Sequence, residues 1–409
     1  MTTHVHMVNQ GSVSLWGLTA EERLKRMLVR AGGLELVDDP ASLPAEDTVL
    51  LLRGDFLYDN RIISRLVSEE NILLQTSSEG NTVSVAASVR CDRAEQAKQY
   101  LLGDLSAEPV DGLTTVNLQQ WSSGFQEQLR KFDPPYVLPV TEKDSAALEE
   151  HLYSGSYKGV TDLITKWAWP IPAKWVVRLC VAAGITPNAV TICSVILTII
   201  AGVCFYNGLF AEGLIAGWIM TFLDTVDGKL ARVTVTSSKI GHILDHGLDI
   251  IHPPLWYIAW GLGLEQFVAP VSWLTLQQVF WLILAGYILG RMCEGLFQLL
   301  IGKWGLFCWR PFDSYNRLIT ARRNPCMILL TVSLLLGVPG TGLFLVLAWT
   351  LISTLVIFLR FVYALLLNRF SSTEVKPWLA EIGQEIDSES LAARIFTRPP
   401  LTSTFKAAD

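Results

Sequence analysis

Six apolar runs fill the C-terminal half of this 409-residue chain, at about Ala189 to Tyr206, Leu209 to Leu223, Ile243 to Leu262, Val279 to Ile301, Met327 to Val338 and Leu343 to Leu367. A helix needs about 20 such residues to cross the hydrocarbon core of a bilayer. Each run therefore predicts a spanning helix, the short second and fifth borrowing residues from their flanks. The chain is 51% hydrophobic and 17% charged, yet its first 150 residues carry charges at ordinary density. The apolar excess is thus concentrated on the C-terminal side, and a soluble part precedes a membrane part.

Four aspartates, Asp224, Asp227, Asp245 and Asp249, stand at the mouths of the second and third runs. A carboxylate there is costly unless a metal or a substrate pairs with it. On a helix, residues three and four apart share a face, so Asp224, Asp227 and Gly228 line one side, while Gly241, Asp245 and Asp249 form a stripe along another. Two helices meeting at their ends would gather all four carboxylates. Charges so close repel one another unless hard divalent cations such as Mg2+, which favour oxygen ligands, sit among them. Gly228 and Gly241 leave room for a base or a phosphate to approach the backbone, and Arg232 can offer a guanidinium to a phosphoryl oxygen. One such aspartate alone reads equally well as a helix cap, but capping does not need glycines on the same faces.

Together these residues fill the pattern DxxDGxxAR…GxxxDxxxD, and the chain from about Lys158 to Arg369 resembles the CDP-alcohol phosphotransferase family. The resemblance implies a six-helix membrane enzyme that displaces CMP from a CDP-linked donor with the hydroxyl of an acceptor. It implies that Asp224, Asp227 and Asp245 hold Mg2+ or Mn2+, and that Asp249, also near the metals, is the base that takes the acceptor proton. Gly228, Ala231, Arg232 and Gly241, with Asp227, would shape the CDP pocket. A homodimer is usual in the family. The chemistry fits unaided as well, because phosphoryl transfer is catalysed mostly by positioning and charge neutralisation.

Ahead of the first run, Tyr157 to Val181 mixes Trp167, Trp169 and Trp175 with Lys166, Lys174 and Arg178 around Pro170 and Pro172. That mixture suits an amphipathic helix in the headgroup layer, with a buried soluble helix as the alternative. The connection Gly302 to Pro325 holds Lys303, Arg310, Arg317, Arg322 and Arg323, whereas the turns near Asn207, Glu265 and Gly340 hold no Lys or Arg. By the positive-inside rule both termini and the four aspartates are cytoplasmic. Lys239, Arg317, Arg322 and Arg323 could grip an anionic acceptor group, or could serve topology alone. Arg291 could join them or simply pair with Glu294, three residues on. Thr186-Pro187-Asn188 at the entry to the first run matches another feature often seen in the family, and Pro187 also suits a helix start. His242, His246 and His252 crowd the stripe, but His246 adjoins Asp245 and points off it, and an oxygen set suits Mg2+ better than a transition metal.

The soluble part alternates short β-branched runs (His4 to Val8, Thr48 to Leu52, Ile72 to Gln75, Val83 to Val89) with helical stretches near Ala20 to Arg30 and Arg61 to Val67. Such alternation predicts an α/β sandwich with a largely parallel sheet. The segments Gly17 to Leu28 and Leu51 to Asp55 faintly resemble the opening of sugar-phosphate nucleotidyltransferases. The expected glycine-rich loop is replaced by Gly11-Ser-Val-Ser-Leu-Trp16, which compromises wrapping of a triphosphate. The domain is therefore expected to have lost nucleotidyl transfer and to support, regulate or dimerise the membrane part. Seven cysteines, Cys91, Cys180, Cys193, Cys204, Cys293, Cys308 and Cys326, show neither zinc nor disulfide spacing. Met1 to Gly11 is short and polar, with no visible signal peptide. The net charge of -6 gives no support to nucleic-acid binding.

The fold expected is a membrane all-α six-helix bundle preceded by an interfacial helix, with an N-terminal cytosolic α/β, nucleotidyltransferase-like domain. Its divisions are 1–139 for the α/β domain, 140–156 for a linker or helix, 157–370 for the membrane domain and 371–409 for a polar tail, disordered apart from a short helix near Pro377 to Ile386. The function expected is that of an integral membrane phosphotransferase, in the cytoplasmic membrane if bacterial, taking a CDP-lipid such as CDP-diacylglycerol and a polar alcohol or its phosphate. A bifunctional protein that also makes the CDP-alcohol from CTP, and a divalent-cation transporter, are the alternatives.

Overall fold

The computed structural model describes residues 3–78, 81–103, 112–121, 124–236, 239–267, 273–371 and 374–397, and the side chains of 10, 78, 119, 120, 239–246 and 248 fall outside the described set. The N-terminal part runs through β1 (Thr3–Gln10), a hairpin of β2 (Ser14–Leu15) and β3 (Leu18–Thr19), α1 (Ala20–Ala31), β4 (Thr48–Gly54), β5 (Phe56–Tyr58), α2 (Asn60–Ser68), β6 (Ile72–Ser78), β7 (Asn81–Arg90), α3 (Ala94–Leu101), β8 (Thr114–Asn117) and α4 (Leu118–Trp121). Helix α1 starts at a capping box: Thr19 Oγ1 accepts from Glu22 N, and the Glu22 carboxylate accepts from Thr19 N at 2.9 Å. It buries Leu24, Met27 and Leu28.

The five-stranded sheet has the order β1-β4-β7-β6-β8 and is mixed, contrary to the largely parallel sheet expected. β1 and β4 pair in parallel, as do β6 and β8, while β7 is antiparallel to both its neighbours. The reason is connection length. Only Glu79 and Gly80 separate β6 from β7, and a parallel pair needs a crossover of about a dozen residues.

The segment 140–156 forms α5 (Ser145–Gly155), and a π-helical turn at Ile164–Ala168 leads into α6 (Pro170–Ala182). Then follow α7 (Pro187–Tyr206), α8 (Phe210–Val233), α9 (Lys239–Leu262), α10 (Leu276–Leu300), α11 (Pro311–Ile319), α12 (Arg323–Leu335), α13 (Pro339–Phe370) and α14 (Leu391–Thr397). Among the described residues, α7, α10 and α13 are long and apolar enough to cross a membrane, and α11 with α12, bent by 42°, makes a fourth if counted as one span. Ile192, Ile196, Ile199 and Val203 point outward from α7, Trp281 and Leu299 from α10, and Leu335 from α12. Such a mantle of exposed aliphatic and aromatic groups befits an integral membrane protein.

Inside, Phe205, Trp256, Trp260, Val279, Ile283, Met327, Leu330 and Val346 form the core of the helical half. Gly213 permits the closest approach of α7 and α8, since a β-carbon there would lie 2.5 Å from the Phe205 ring. Helix α8 does not stop at Leu223. It continues to Val233, so Asp224 and Asp227 lie within a continuous helix and not at its mouth.

The C-terminal segment is ordered through Thr397, not disordered as expected. A 3₁₀ turn at Trp378–Glu381 and α14 bury Trp378, Leu379 and Phe396 against Phe297, Phe307 and Trp309, and Trp378 Nε1 donates to Ser314 Oγ at 2.9 Å. Burial of two aromatic side chains outweighs the polar average of that stretch. Residues 398–409 lie outside the described residues.

His151 of α5 packs edge-on against Tyr136, with ring centroids 4.4 Å apart. Burial pushes its pKa below the ordinary 6.5; Asp133 and Asp59 pull it up and Lys131 pushes it down. The unfolded chain then binds a proton that the folded chain refuses, so stability present above pH 6.5 is lost as the pH falls below it. In thermal melts of the purified protein between pH 7.5 and 5.5, His151→Gln is expected to flatten the acid-side decline; an identical decline in both proteins would contradict this assignment.

Candidate active site

Three helices meet at the acidic pattern. Asp224, Asp227, Gly228, Ala231 and Arg232 lie on α8, Asp249 on α9, and Arg323 opens α12. The Arg323 guanidinium donates to Asp224 Oδ2 at 2.5 Å and to Asp249 Oδ1 at 2.7 Å. Carboxylates from two helices thus converge within reach of a single cation. The Arg323 side chain is 13% exposed, Asp224 17% and Asp249 38%, which makes Asp249 the one that solvent or substrate reaches most easily.

Asp227 is more deeply placed, at 5% exposure. Thr191 Oγ1, one turn into α7, donates to Asp227 Oδ2 at 2.6 Å. Thr186 caps that helix by accepting from Ala189 N, and Pro187 occupies its first turn. The Thr186-Pro187-Asn188 entry thereby fixes the height at which Thr191 meets Asp227. The Arg232 guanidinium folds back along α8 over Gly228, where a β-carbon would lie 2.9 Å from Nη2, and its charge acts on Asp227.

Asp245, Gly241, Lys239, His242 and His246 lie on α9, but their side-chain placements are outside the described residues. Among the described residues no group of three His, Cys, Asp or Glu is arranged to hold a metal. The donor set still fits a hard divalent ion: two oxygen ligands from different helices already share one cation, with a third carboxylate a turn away on α8. His252 is buried and meets Trp256 edge-on at 4.7 Å, a packing role.

The basic residues separate into two groups. Arg323 belongs to the acidic site. Arg291 and Arg322 both pair with Glu294, Arg291 at 3.6 Å, and the Arg317 and Arg322 guanidinium groups face the Phe307 ring. Arg291, Arg322, Glu294, Tyr287 and Thr320 line a cavity between α10, the α11–α12 bend and α13. Behind Arg317, Asp162 accepts from Asn324 Nδ2 at 2.9 Å and from Thr165. Burial raises the Asp162 pKa, but Arg317 and these hydrogen bonds outweigh it and hold the carboxyl below its ordinary range. Asn324 adjoins Arg323, so this anchor fixes the start of α12. Thr191, Glu294 as a shared partner, and the Asp162–Asn324 anchor were not singled out by the sequence pattern. Of these, a threonine four residues after Pro187 on an otherwise apolar helix was the one visible signal.

Residues 184–305, which span α7 to α10, match the family model described as CDP-alcohol phosphatidyltransferase. Cholinephosphotransferase 1 of Danio rerio is 28% identical over 124 residues, 28% of this chain and 31% of that protein. The Xenopus laevis protein of the same name is 30% identical over 127 residues, 28% of this chain and 30% of that protein. Archaetidylinositol phosphate synthase of Pyrococcus horikoshii is 35% identical over 108 residues, 26% of this chain and 55% of that protein. The chain thus spans from about a third to about half the length of these curated relatives. The family match covers α7 to α10, the helices that carry the acidic pattern, and the N-terminal sheet lies outside it.

Replacing Arg323 by Ala removes the cation that Asp224 and Asp249 share. The variant is expected to lose about 2–3 kcal/mol of stability in chelator, less than a fully buried pair would because Asp249 is partly exposed. Millimolar Mg2+ is expected to restore most of that loss. A melting curve indifferent to Mg2+ would contradict a cation site here.

Proposed function

We propose that the chain transfers a phosphatidyl or related phospho-alcohol group from a CDP-linked donor, CDP-diacylglycerol in the simplest case, to a polar alcohol or its phosphate, with release of CMP. The observation that carries this reading is the convergence of Asp224 and Asp249 on one cation, beside a glycine-opened face of α8 within the family-matched segment.

Asp224, Asp227, Asp245 and Asp249 are assigned the oxygen ligands of Mg2+, which when bound neutralises charge on the pyrophosphate. Gly228, Ala231 and Gly241 admit the nucleotide close to the helix backbones, and Arg232 reaches a phosphoryl oxygen. Thr191 holds Asp227 in a fixed rotamer by donating to it. Asp249, the most exposed of the three described carboxylates, takes the acceptor hydroxyl proton. The acceptor oxygen forms a bond to the lipid-bearing phosphorus, the bond from that phosphorus to CMP breaks, and the proton rests on Asp249.

The anionic group of the acceptor is assigned to the neighbourhood of Arg291, Arg317 and Arg322. Two arginines around one glutamate leave net positive charge there, with Arg317 adjacent, which favours an anionic acceptor such as glycerol phosphate or inositol phosphate. Of the relatives, archaetidylinositol phosphate synthase bears a name that contains such a phosphate. Lys239 is the remaining candidate for that contact.

The six-span topology, with both termini and the site on the cytoplasmic side, belongs to the same reading, as does a homodimer. Trp167, Ile171, Trp175 and Leu179 recur every four residues and are all exposed, and Lys174 and Arg178 flank them. That stripe fits an interfacial helix along the headgroup layer.

Purified protein given CDP-diacylglycerol, Mg2+ and a panel of acceptors is expected to release CMP, with phosphorylated acceptors preferred. Asp249→Asn is expected to lower turnover on the order of 10²–10⁴-fold, the range for loss of a general base. Unaltered turnover in Asp249→Asn would remove that residue from the chemistry.

A further inference from the structure

The N-terminal domain grips the C-terminal end of α8, and does so through residues that have no evident task within the domain itself. Trp16 and Gly17 form the two-residue tip of the β2–β3 hairpin, both at positive φ, +52° and +74°. That conformation turns a strand tightly, and a tryptophan is an uncommon occupant of it. The tip projects away from the sheet, and Trp16 is 2% exposed in an apolar cluster with Val226, Leu230 and Val233 of α8. Its ring stacks on Tyr153 of α5 at 5.6 Å, and its Nε1 donates to the Glu149 carbonyl at 2.8 Å. The hairpin tip is therefore a plug against the C-terminal end of α8.

Two further contacts lie just past the end of α8. Arg26 of α1 donates from Nη1 to the Thr234 carbonyl at 2.7 Å. Val235, 5% exposed, sits in the apolar cluster of the N-terminal domain with Leu24, Met27, Leu28 and Leu66, all of them far away along the chain. Val235 also has φ of +51°, where a β-branched side chain is strained. Such strain persists only when the surroundings over-determine it. Thr234 to Thr236 open the link between α8, which carries Asp224 and Asp227, and α9, which carries Asp249.

We propose that the N-terminal domain is a positioning module for the acidic site, with Trp16, Arg26 and Val235 setting α8 against α9 and so fixing the separation of their carboxylates. For its kinetic consequence the proposal rests on the phosphotransferase reading above. Gly228, Ala231 and Arg232 lie on α8, and Gly241, Asp245 and Asp249 on α9, so a shift of one helix against the other disturbs the donor site and the chemical step together.

The test uses the full chain in lipid nanodiscs, with Arg26→Ala, Trp16→Ala and Val235→Gly, and the conservative pair Arg26→Lys and Trp16→Phe. CMP release from CDP-diacylglycerol gives kcat and KM; hydrogen exchange read by mass spectrometry reports on the amides of residues 234–236. The alanine and glycine variants are expected to lower kcat about tenfold, to raise donor KM with it and to speed exchange at 234–236 at least tenfold. Arg26→Lys and Trp16→Phe are expected to recover most of both. Faster exchange with unchanged kcat, or unchanged exchange in Arg26→Ala and Val235→Gly, overturns the proposal. Val235→Gly decides the matter if the Trp16 variant fails to fold, because glycine relieves the backbone strain while removing the Val235 side chain from its cluster. If the unaltered chain releases no CMP with any acceptor, the phosphotransferase reading falls, and unchanged exchange in the variants still overturns the clamp independently.

Discussion

A carboxylate inside a packed helical bundle is costly without a cation or a hydrogen-bond donor, and the arrangement of this protein's site follows from that requirement. Asp224 and Asp249 meet at Arg323, whose guanidinium reaches both in a single geometry. Breaking one partner of such a cluster leaves charge stranded in low dielectric, so the three helices that supply its members are held together through it. The same convergence prepares an oxygen-lined position for a divalent ion. Arg323 is then either a competitor for that position or, once displaced, a free donor for phosphate.

Second contacts fix the members of this cluster. Thr191 orients Asp227 from α7, and Asn324, tied to Asp162, seats the first turn of α12 so that Arg323 points at the acids. The basic cavity is organised on the same principle with the charges reversed: Glu294 gathers Arg291 and Arg322. Two neighbouring sites of opposite polarity result. The soluble domain reaches this machinery through the ends of α8 and α1, away from its own sheet.

Much of the site was legible in the sequence because spacing on a helix is fixed by geometry: Asp224, Asp227, Gly228 and Arg232 had to share a face whatever the tertiary structure. The apolar runs likewise announced the bundle, with helix limits off by a few residues except at α8, whose polar second half hid ten residues of continuous helix. Contacts between distant segments were not legible. Nothing in the runs says that Thr191 meets Asp227 or that Arg323, and not Arg322, turns toward the acids. Strand direction failed because local alternation of strand and helix does not encode the two-residue connection between β6 and β7 as a reversal of chain direction. The ordered C-terminal segment was missed because its average polarity concealed Trp378 and Phe396, two anchors able to bind it to the bundle.

The central claim is that these aspartates are tolerated because cations join them to a nucleotide pyrophosphate. Calorimetric titration of CDP into the purified chain, with and without Mg2+, tests it most directly. The account predicts binding that requires Mg2+ and that disappears in Asp224→Asn. Equal CDP affinity in Mg2+ and in chelator, or binding untouched by Asp224→Asn, would contradict it.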